Sequence, residues 1–411
     1  MTTEITPARL LSEPPFQPVP AVRYNIPVGY LRAFVTILVL AFHSVLAYDT
    51  DAPQPPHSLL AQPRLWMAFP VVDPHRWSGF SLFIGFNDIF FMSLMFFLSG
   101  LFVWNGLRLK GSQRFLRDRA LRLGVPFLIA AAMLAPLAYY PAYLQTSEPH
   151  SVISYFHQWL SLGEWPAGPA WFVWVLLAFD FVAAALFFAA PNVGSLLTRL
   201  SSNTERRPAR FMGLLLAFSA MTYIPMALAF NPLRWTNFGP FYFQTSRILH
   251  YAVYFFAGIS IGAFGLDRGL LAPTGELARR WIRWIFMALG MFVVAIVTAI
   301  LAFANYSHAP RMWIFISGCG FVLSCAASCF AFLALFVRFA RTPRKIYDAF
   351  RENAYGMYLI HYVFVSWVQY TLLRLMLPGL MKGTLAVLAV LALSLMTTAA
   401  LRRVRLIAKV I

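Results

Sequence analysis

Apolar stretches of roughly twenty residues recur along this chain. They fall at approximately 29–49, 82–104, 124–144, 168–190, 211–230, 247–266, 284–304, 313–337, 354–376 and 383–401. Each is long enough to cross the hydrocarbon core of a bilayer as a helix. A soluble core does not need so many blocks of this kind in series. The expected fold class is all-α, a polytopic integral membrane helical bundle of about ten transmembrane helices. Composition agrees, because 60% of the 411 residues are hydrophobic and 12% are charged, about half the charged fraction of a soluble domain.

The formal charge of +18 raises nucleic acid as a partner. The placement of that charge argues instead for topology and excludes nucleic acid. With the N-terminus inside, only Arg64, Arg76, Arg234, Arg247, Arg311, Arg374 and Lys382 of the 33 basic residues fall on the outer side or its helix ends. Excess Lys and Arg mark cytoplasmic loops, so both termini are expected in the cytoplasm. Residues 1–28 contain Pro7, Pro14, Pro15, Pro18, Pro20 and Pro27 and no apolar h-region, which reads as a disordered tail rather than a signal peptide. Residues 29–401 form the membrane domain and 402–411 a basic cytoplasmic tail. The three cysteines, Cys319, Cys325 and Cys329, share one apolar stretch without a CxxC pair. Neither a disulfide framework nor a metal site is expected.

Ionisable residues inside apolar stretches are functional candidates by default. Arg32 stands near the start of the first stretch and His43 deep within it, about 16 Å further along a helix axis. The plain alternative for His43 is a packing hydrogen bond to a neighbouring helix. The inner loop QRFLRDRALRLGVP carries Arg119 and Arg122 at a three-residue step that puts both on one helical face. Arginine forks suit phosphate oxygens, although part of this charge serves topology alone. The segment NAYGMYLIH places Tyr355, Tyr358 and His361 at the entry of the ninth stretch, where interfacial tyrosines and a packing histidine are the plain reading. Asp88 enters the second stretch from outside at a depth comparable to His43, so it is a candidate orienting carboxylate; Asp180 is a second deep carboxylate. The outer segment 145–167 holds Glu148, His150, His157, Trp159, Glu164 and Trp165. Such side chains suit a sugar, but an interfacial aromatic belt explains them better residue by residue.

Arg32-x10-His43, FFLSG at 96–100, the RFLRDRALRLGVP loop, Pro169-Ala170-Trp171-Phe172 and YGMYLIH together resemble the membrane-bound acyltransferase family 3. The resemblance runs from about residue 24 to residue 400, and its wording is closest to the branch containing glucan biosynthesis protein C. It implies a bacterial inner (plasma) membrane enzyme that transfers an acyl group from cytoplasmic acyl-CoA, acetyl-CoA or succinyl-CoA, to a hydroxyl of a carbohydrate acceptor. Besides membrane lipids, the expected partners are therefore acyl-CoA and a cell-surface or periplasmic glycan. The arginine-ten-histidine motif maps onto Arg32 and His43, and the R-x-x-R motif onto Arg119 and Arg122. His43 then acts as general base or acyl-carrying nucleophile, with Asp88 as its orienting partner. Arg119 and Arg122 hold CoA phosphates, Arg32 helps bind the donor or meets charge on the thioester oxygen, and Tyr355 and His361 line the donor tunnel. No G-x-S-x-G elbow and no Walker motif is present. A proton-coupled secondary transporter or flippase of a glycan or glycolipid is the rival reading. Against it, the sequence shows no paired-half symmetry and no obvious broken helix.

Overall fold

The computed structural model describes residues 25–190, 192–303 and 310–410. It is a bundle of long helices, which we number α1 Ile26–Val45, α2 Gly79–Gly100, α3 Val103–Arg119, α4 Ala135–Tyr143, α5 Trp171–Ala189, α6 Pro208–Phe230, α7 Ile248–Phe264, α8 Trp281–Phe303, α9 Arg311–Phe339, α10 Lys345–Leu372 and α11 Gly379–Leu401. Among the described residues the one sheet is an antiparallel hairpin, β1 Trp235–Phe238 and β2 Phe241–Gln244. By length and composition, eight segments can cross a membrane, or nine if the bent pair Ile248–Phe264 and Gly269–Arg279 is one span. All ten expected stretches lie on helices, but the ninth does not pass as a span. It lies on α10, which runs 28 residues and buries Asn353, His361, Ser366 and Gln369. Its low hydropathy comes from a polar face turned into the protein, not toward lipid.

α1 starts where the sequence provides a cap. The Asn25 side chain accepts from Val28 N at 3.0 Å, and Pro27 sits in the first turn, where its missing N–H costs nothing. The expected tail of 1–28 therefore overlaps the first turn of the helix, and residues 1–24 lie outside the described residues. At the other end, 402–410 turns back through a short helix, Ile407–Lys409.

α1 is the centre of the bundle and packs against α2, α9, α10 and α11. α8 lies at the edge against α9 and keeps most of its surface exposed, as a lipid-facing helix does. α2 and α7 approach closely through glycines. A Cβ on Gly258 would stand 2.1 Å from Phe97 O, and one on Gly100 would stand 2.1 Å from Phe255 O. Small residues allow such backbone contact between membrane helices. The glycine of FFLSG is thus a packing device.

The segment from α3 to α4 is broken, contrary to the expectation of unbroken helices. Gly111 leaves helical geometry at φ 73°. Beyond it, Ala120–Gly124 and Ala130–Leu134 are wide turns with i→i−5 hydrogen bonds, separated by the α-turn Val125–Ile129. Pro126, Pro136 and Pro141 explain the disruption, because each lacks the N–H that would bond one turn back.

The arginine-rich segments meet at one end of the bundle. Tyr30 OH donates to Asp348 Oδ1 at 3.0 Å and accepts from Arg344 N at 2.9 Å. Asn25 Nδ2 donates to Leu266 O at 2.7 Å. The opposite end is covered by residues 46–78, 144–168 and the β1–β2 hairpin, held by pairs such as Val72 N to Gln145 Oε1 at 3.1 Å. There Lys382, at the start of α11, meets Asp73 at 2.6 Å with both side chains fully buried. Removing one partner strands a buried charge, so Lys382→Met is expected to lower stability by about 3–5 kcal/mol. The double variant Lys382→Met with Asp73→Asn recovers much of that loss, as read by thermal unfolding in detergent.

Candidate functional site

Arg32 and His43 lie on one face of α1. Eleven residues advance a helix by about three turns, so the two side chains project within roughly 20° of each other, about 16 Å apart along the axis. Both are half-buried. The Thr36 hydroxyl donates to Arg32 O at 3.0 Å within the same helix.

α10 brings His361 to His43. His361 Nε2 stands 3.2 Å from His43 Nδ1, with the two ring centroids 5.1 Å apart. Each ring is also tied to its own helix. His43 Nδ1 is 2.8 Å from Val39 O, and His361 Nδ1 is 2.6 Å from Tyr358 O. A carbonyl oxygen only accepts, so each Nδ1 carries a hydrogen. With both rings neutral, His361 Nε2 is bare and shares the His43 Nδ1–H with Val39 O. His43 Nε2 is then bare as well, and among the described residues it makes no hydrogen bond. Phe42 and Tyr362 border the His43 ring edge to face, at 5.2 and 5.3 Å. Gln369 Nε2 donates to His43 O at 2.9 Å and to Ser44 O at 3.0 Å, fixing the end of α1 against α10.

The same helix reaches the arginine pair. Tyr355 OH donates to Arg122 O at 2.5 Å. Pro126, four residues on, has no N–H to offer that carbonyl. Arg119 is half-buried and stacks over Phe115 at 5.1 Å, and its Nε lies 3.3 Å from Asp180 Oδ2, a side chain fully buried in α5. Arg122 is exposed. The pair is thus divided, one arginine anchored by a carboxylate and the other presented to solvent. Tyr355 and His361 are six residues apart, about 9 Å along α10. Between them Tyr358 OH donates to Pro169 O, which places the Pro-Ala-Trp-Phe motif against α10. Alongside runs a narrow crevice of about 20 Å³, room for about one water, lined by His361, Tyr358, Tyr362 and a run of alanines including Ala130, Ala138 and Ala170.

Asp88 does not join this site. Its carboxylate takes Arg247 Nη2 at 2.6 Å, and its backbone carbonyl takes Arg247 Nη1 at 3.0 Å. Arg247 also lies over the Phe321 ring at 4.7 Å. Depth alone made Asp88 level with His43; the partner that depth could not reveal is the arginine just before α7, Arg247. His43 is oriented by His361 and Val39 O instead. Asp180 also has an arginine partner, Arg119. The aromatic and acidic residues of the outer segment are structural. Trp159 is buried, Trp165 Nε1 donates to Ala131 O at 2.8 Å, and Glu164 accepts from Tyr242 OH at 3.0 Å. Burial and the neighbouring Glu164 carboxylate push the Tyr242 hydroxyl up from its ordinary value, so it remains a donor.

Sequence reasoning missed the Arg119–Asp180 pair and the contact of buried His250 with Cys325 Sγ at 3.5 Å. Neither has a local signal, since both join distant helices. The Tyr355 contact did have one, because a proline four residues after Arg122 signals an orphan carbonyl. No group of three or more His, Cys, Asp or Glu among the described residues has the arrangement of a metal site. The sequence model of a family described as an acyltransferase domain matches residues 28–401. Neither a curated protein nor a solved structure matches the chain.

If Tyr355 repairs the carbonyl that Pro126 frees, Tyr355→Phe is expected to cost about 1 kcal/mol. Pro126→Ala, which restores the backbone donor, should remove most of that cost. A double-mutant cycle on thermal unfolding in lipid nanodiscs measures the coupling.

Proposed function

The chain belongs to acyltransferase family 3 and is a multi-pass membrane acyltransferase, and from that premise we propose that it moves an acetyl or succinyl group from acyl-CoA to a hydroxyl of a carbohydrate acceptor. The observation that carries this reading is the bare Nε2 of His43, on the same helical face as Arg32 and joined through α10 to the Arg119–Arg122 segment. A hydroxyl is a weak nucleophile until a base removes its proton as it attacks, and a neutral imidazole suits that step. His43 Nε2 takes the proton. The acceptor oxygen bonds to the acyl carbon, the carbon–sulfur bond breaks, and the departing thiolate is protonated in turn.

The remaining residues fit the donor. Arg122 is exposed and Arg119 is held by Asp180 on one edge, so their remaining N–H groups suit the phosphates of CoA. Arg32 lies on the His43 face but about 16 Å away along α1, so its charge suits binding of the donor rather than the reacting carbon. The alanine-lined crevice beside His361 suits a slender acyl arm once its walls part, because it holds about one water as it stands. We place the arginine-rich end in the cytoplasm, following the positive-inside rule, and the protein in a bacterial inner membrane, with a cell-surface or periplasmic glycan as acceptor.

The test uses protein in lipid nanodiscs with acetyl-CoA or succinyl-CoA, with and without candidate glycans, following CoA release. Wild type is expected to release CoA, and His43→Ala to do so at least about 100-fold more slowly. Wild-type rates in His43→Ala inserted at normal level would overturn the reading. Arg119→Gln and Arg122→Gln should each raise KM for the donor several-fold, as loss of a charged hydrogen bond does, and leave the acceptor's KM unchanged.

A further inference from the structure

The pairing of two histidines in an apolar interior asks for a reason beyond lining a tunnel. Either ring could have satisfied its Nδ1 with its own helix carbonyl, as both do. Instead α1 and α10 set His361 Nε2 against the one nitrogen of His43 that bears hydrogen. His361 is fully buried, and its own Nδ1–H is committed to Tyr358 O. The two tethers together leave a single arrangement of hydrogens. His43 Nδ1–H points at a carbonyl and a bare imidazole nitrogen, and His43 Nε2 is left as the free base.

We propose that His361 is the positioning partner of His43. Its Nε2 shares the His43 Nδ1–H with Val39 O, reinforces the tautomer with a bare Nε2, and takes up part of the positive charge when that Nε2 gains a proton. The inference rests on the acyl-transfer reading for the proton's source. As the acceptor hydroxyl attacks, its proton goes to His43 Nε2, and the electron pair of the broken carbon–sulfur bond leaves on the CoA sulfur. His43 is then an imidazolium, and its Nδ1–H bond to His361 becomes charge-assisted and shorter. The thiolate removes the proton from Nε2 and restores both rings. Protons balance over the cycle, and His361 ends unchanged.

This is the part a carboxylate plays toward histidine in hydrolytic triads. The two deep carboxylates of this bundle are engaged elsewhere, Asp88 by Arg247 and Asp180 by Arg119. A neutral imidazole costs less to bury than an ionised carboxylate, and it still offers a strong acceptor. The geometry therefore gives His43 an orienting partner without a third buried charge.

Three proteins in lipid nanodiscs test the proposal: wild type, His361→Met and His361→Gln. Met removes the acceptor, whereas the Gln amide oxygen can still receive His43 Nδ1–H. For His361→Met, kcat for CoA release is expected to fall about 100-fold or more with KM for donor and acceptor within about twofold. His361→Gln should recover at least about tenfold of that loss. Equal rates in the Met and Gln variants, or wild-type rates in His361→Met, would overturn the proposal. Nitrogen-15 NMR of labelled histidine in the wild type gives a readout independent of turnover, with the His43 signals identified from His43→Ala. We expect His43 protonated on Nδ1 and bare on Nε2 in the wild type, with its Nδ1 signal shifted in His361→Met; the Nε2–H tautomer, or His43 signals unchanged in His361→Met, would overturn the dyad. Absence of CoA release from wild type would count against the acyl-transfer reading alone, because the response of the His43 signals to His361→Met still decides the pairing.

Discussion

A helix inside a membrane has no water to satisfy its backbone, so every carbonyl that loses its helical partner must find another. The segment from α3 to α4 violates this three times. Pro126 lies four residues after Arg122, Pro136 five after Ala131 and Pro141 four after Leu137, and none of the three has an N–H to return to those carbonyls. The three carbonyls are met by Tyr355 OH at 2.5 Å, Trp165 Nε1 at 2.8 Å and Trp367 Nε1 at 3.0 Å. Two of these donors come from α10. The prolines therefore fasten the arginine segment to the helix that also carries His361.

That fastening sets the geometry of the site. α10 holds Arg122 through Tyr355 near one end, the Pro169 loop through Tyr358 in the middle, and His43 through His361 about two turns from Tyr355. Gln369 then ties it to the last carbonyls of α1. A helix with so many polar side chains is too polar to be taken for a span by hydropathy, yet it is long and enclosed. Its polarity is the means by which it aligns three other elements. Anchoring by hydrogen bonds of this kind is directional, so it fixes ring orientation as well as helix position.

The motifs that suggested an acyltransferase divide into two kinds. FFLSG and the proline of RLGVP act through the backbone. Gly100 lets α2 meet α7, and Pro126 frees the Arg122 carbonyl. Arg32, His43, Arg119, Arg122 and His361 offer chemistry, with charge or a bare nitrogen at stated atoms. Asp88 resembled the second kind in sequence but pairs with Arg247 through one carboxylate oxygen and its backbone carbonyl, away from His43. A deep carboxylate in an apolar stretch demands a partner, but the demand itself does not say which one.

The sequence alone determined that this chain is a helical membrane bundle, because so many long apolar runs in series admit little else in a bilayer. It also determined that Arg32 and His43 share a helical face, since an eleven-residue step closes about three turns. The candidate site was legible to that extent, and the R-x-x-R step gave its second element. The identity of His43's partner was not legible. Asp88 and His361 both lie in apolar stretches, and depth along a helix says nothing about rotation around it or about which neighbours it meets. The packing of α1 among α2, α9, α10 and α11 decided that. It turned His361 toward His43, gave Asp88 to Arg247 and Asp180 to Arg119, and so set an imidazole beside His43 where hydropathy had offered a choice of charged partners.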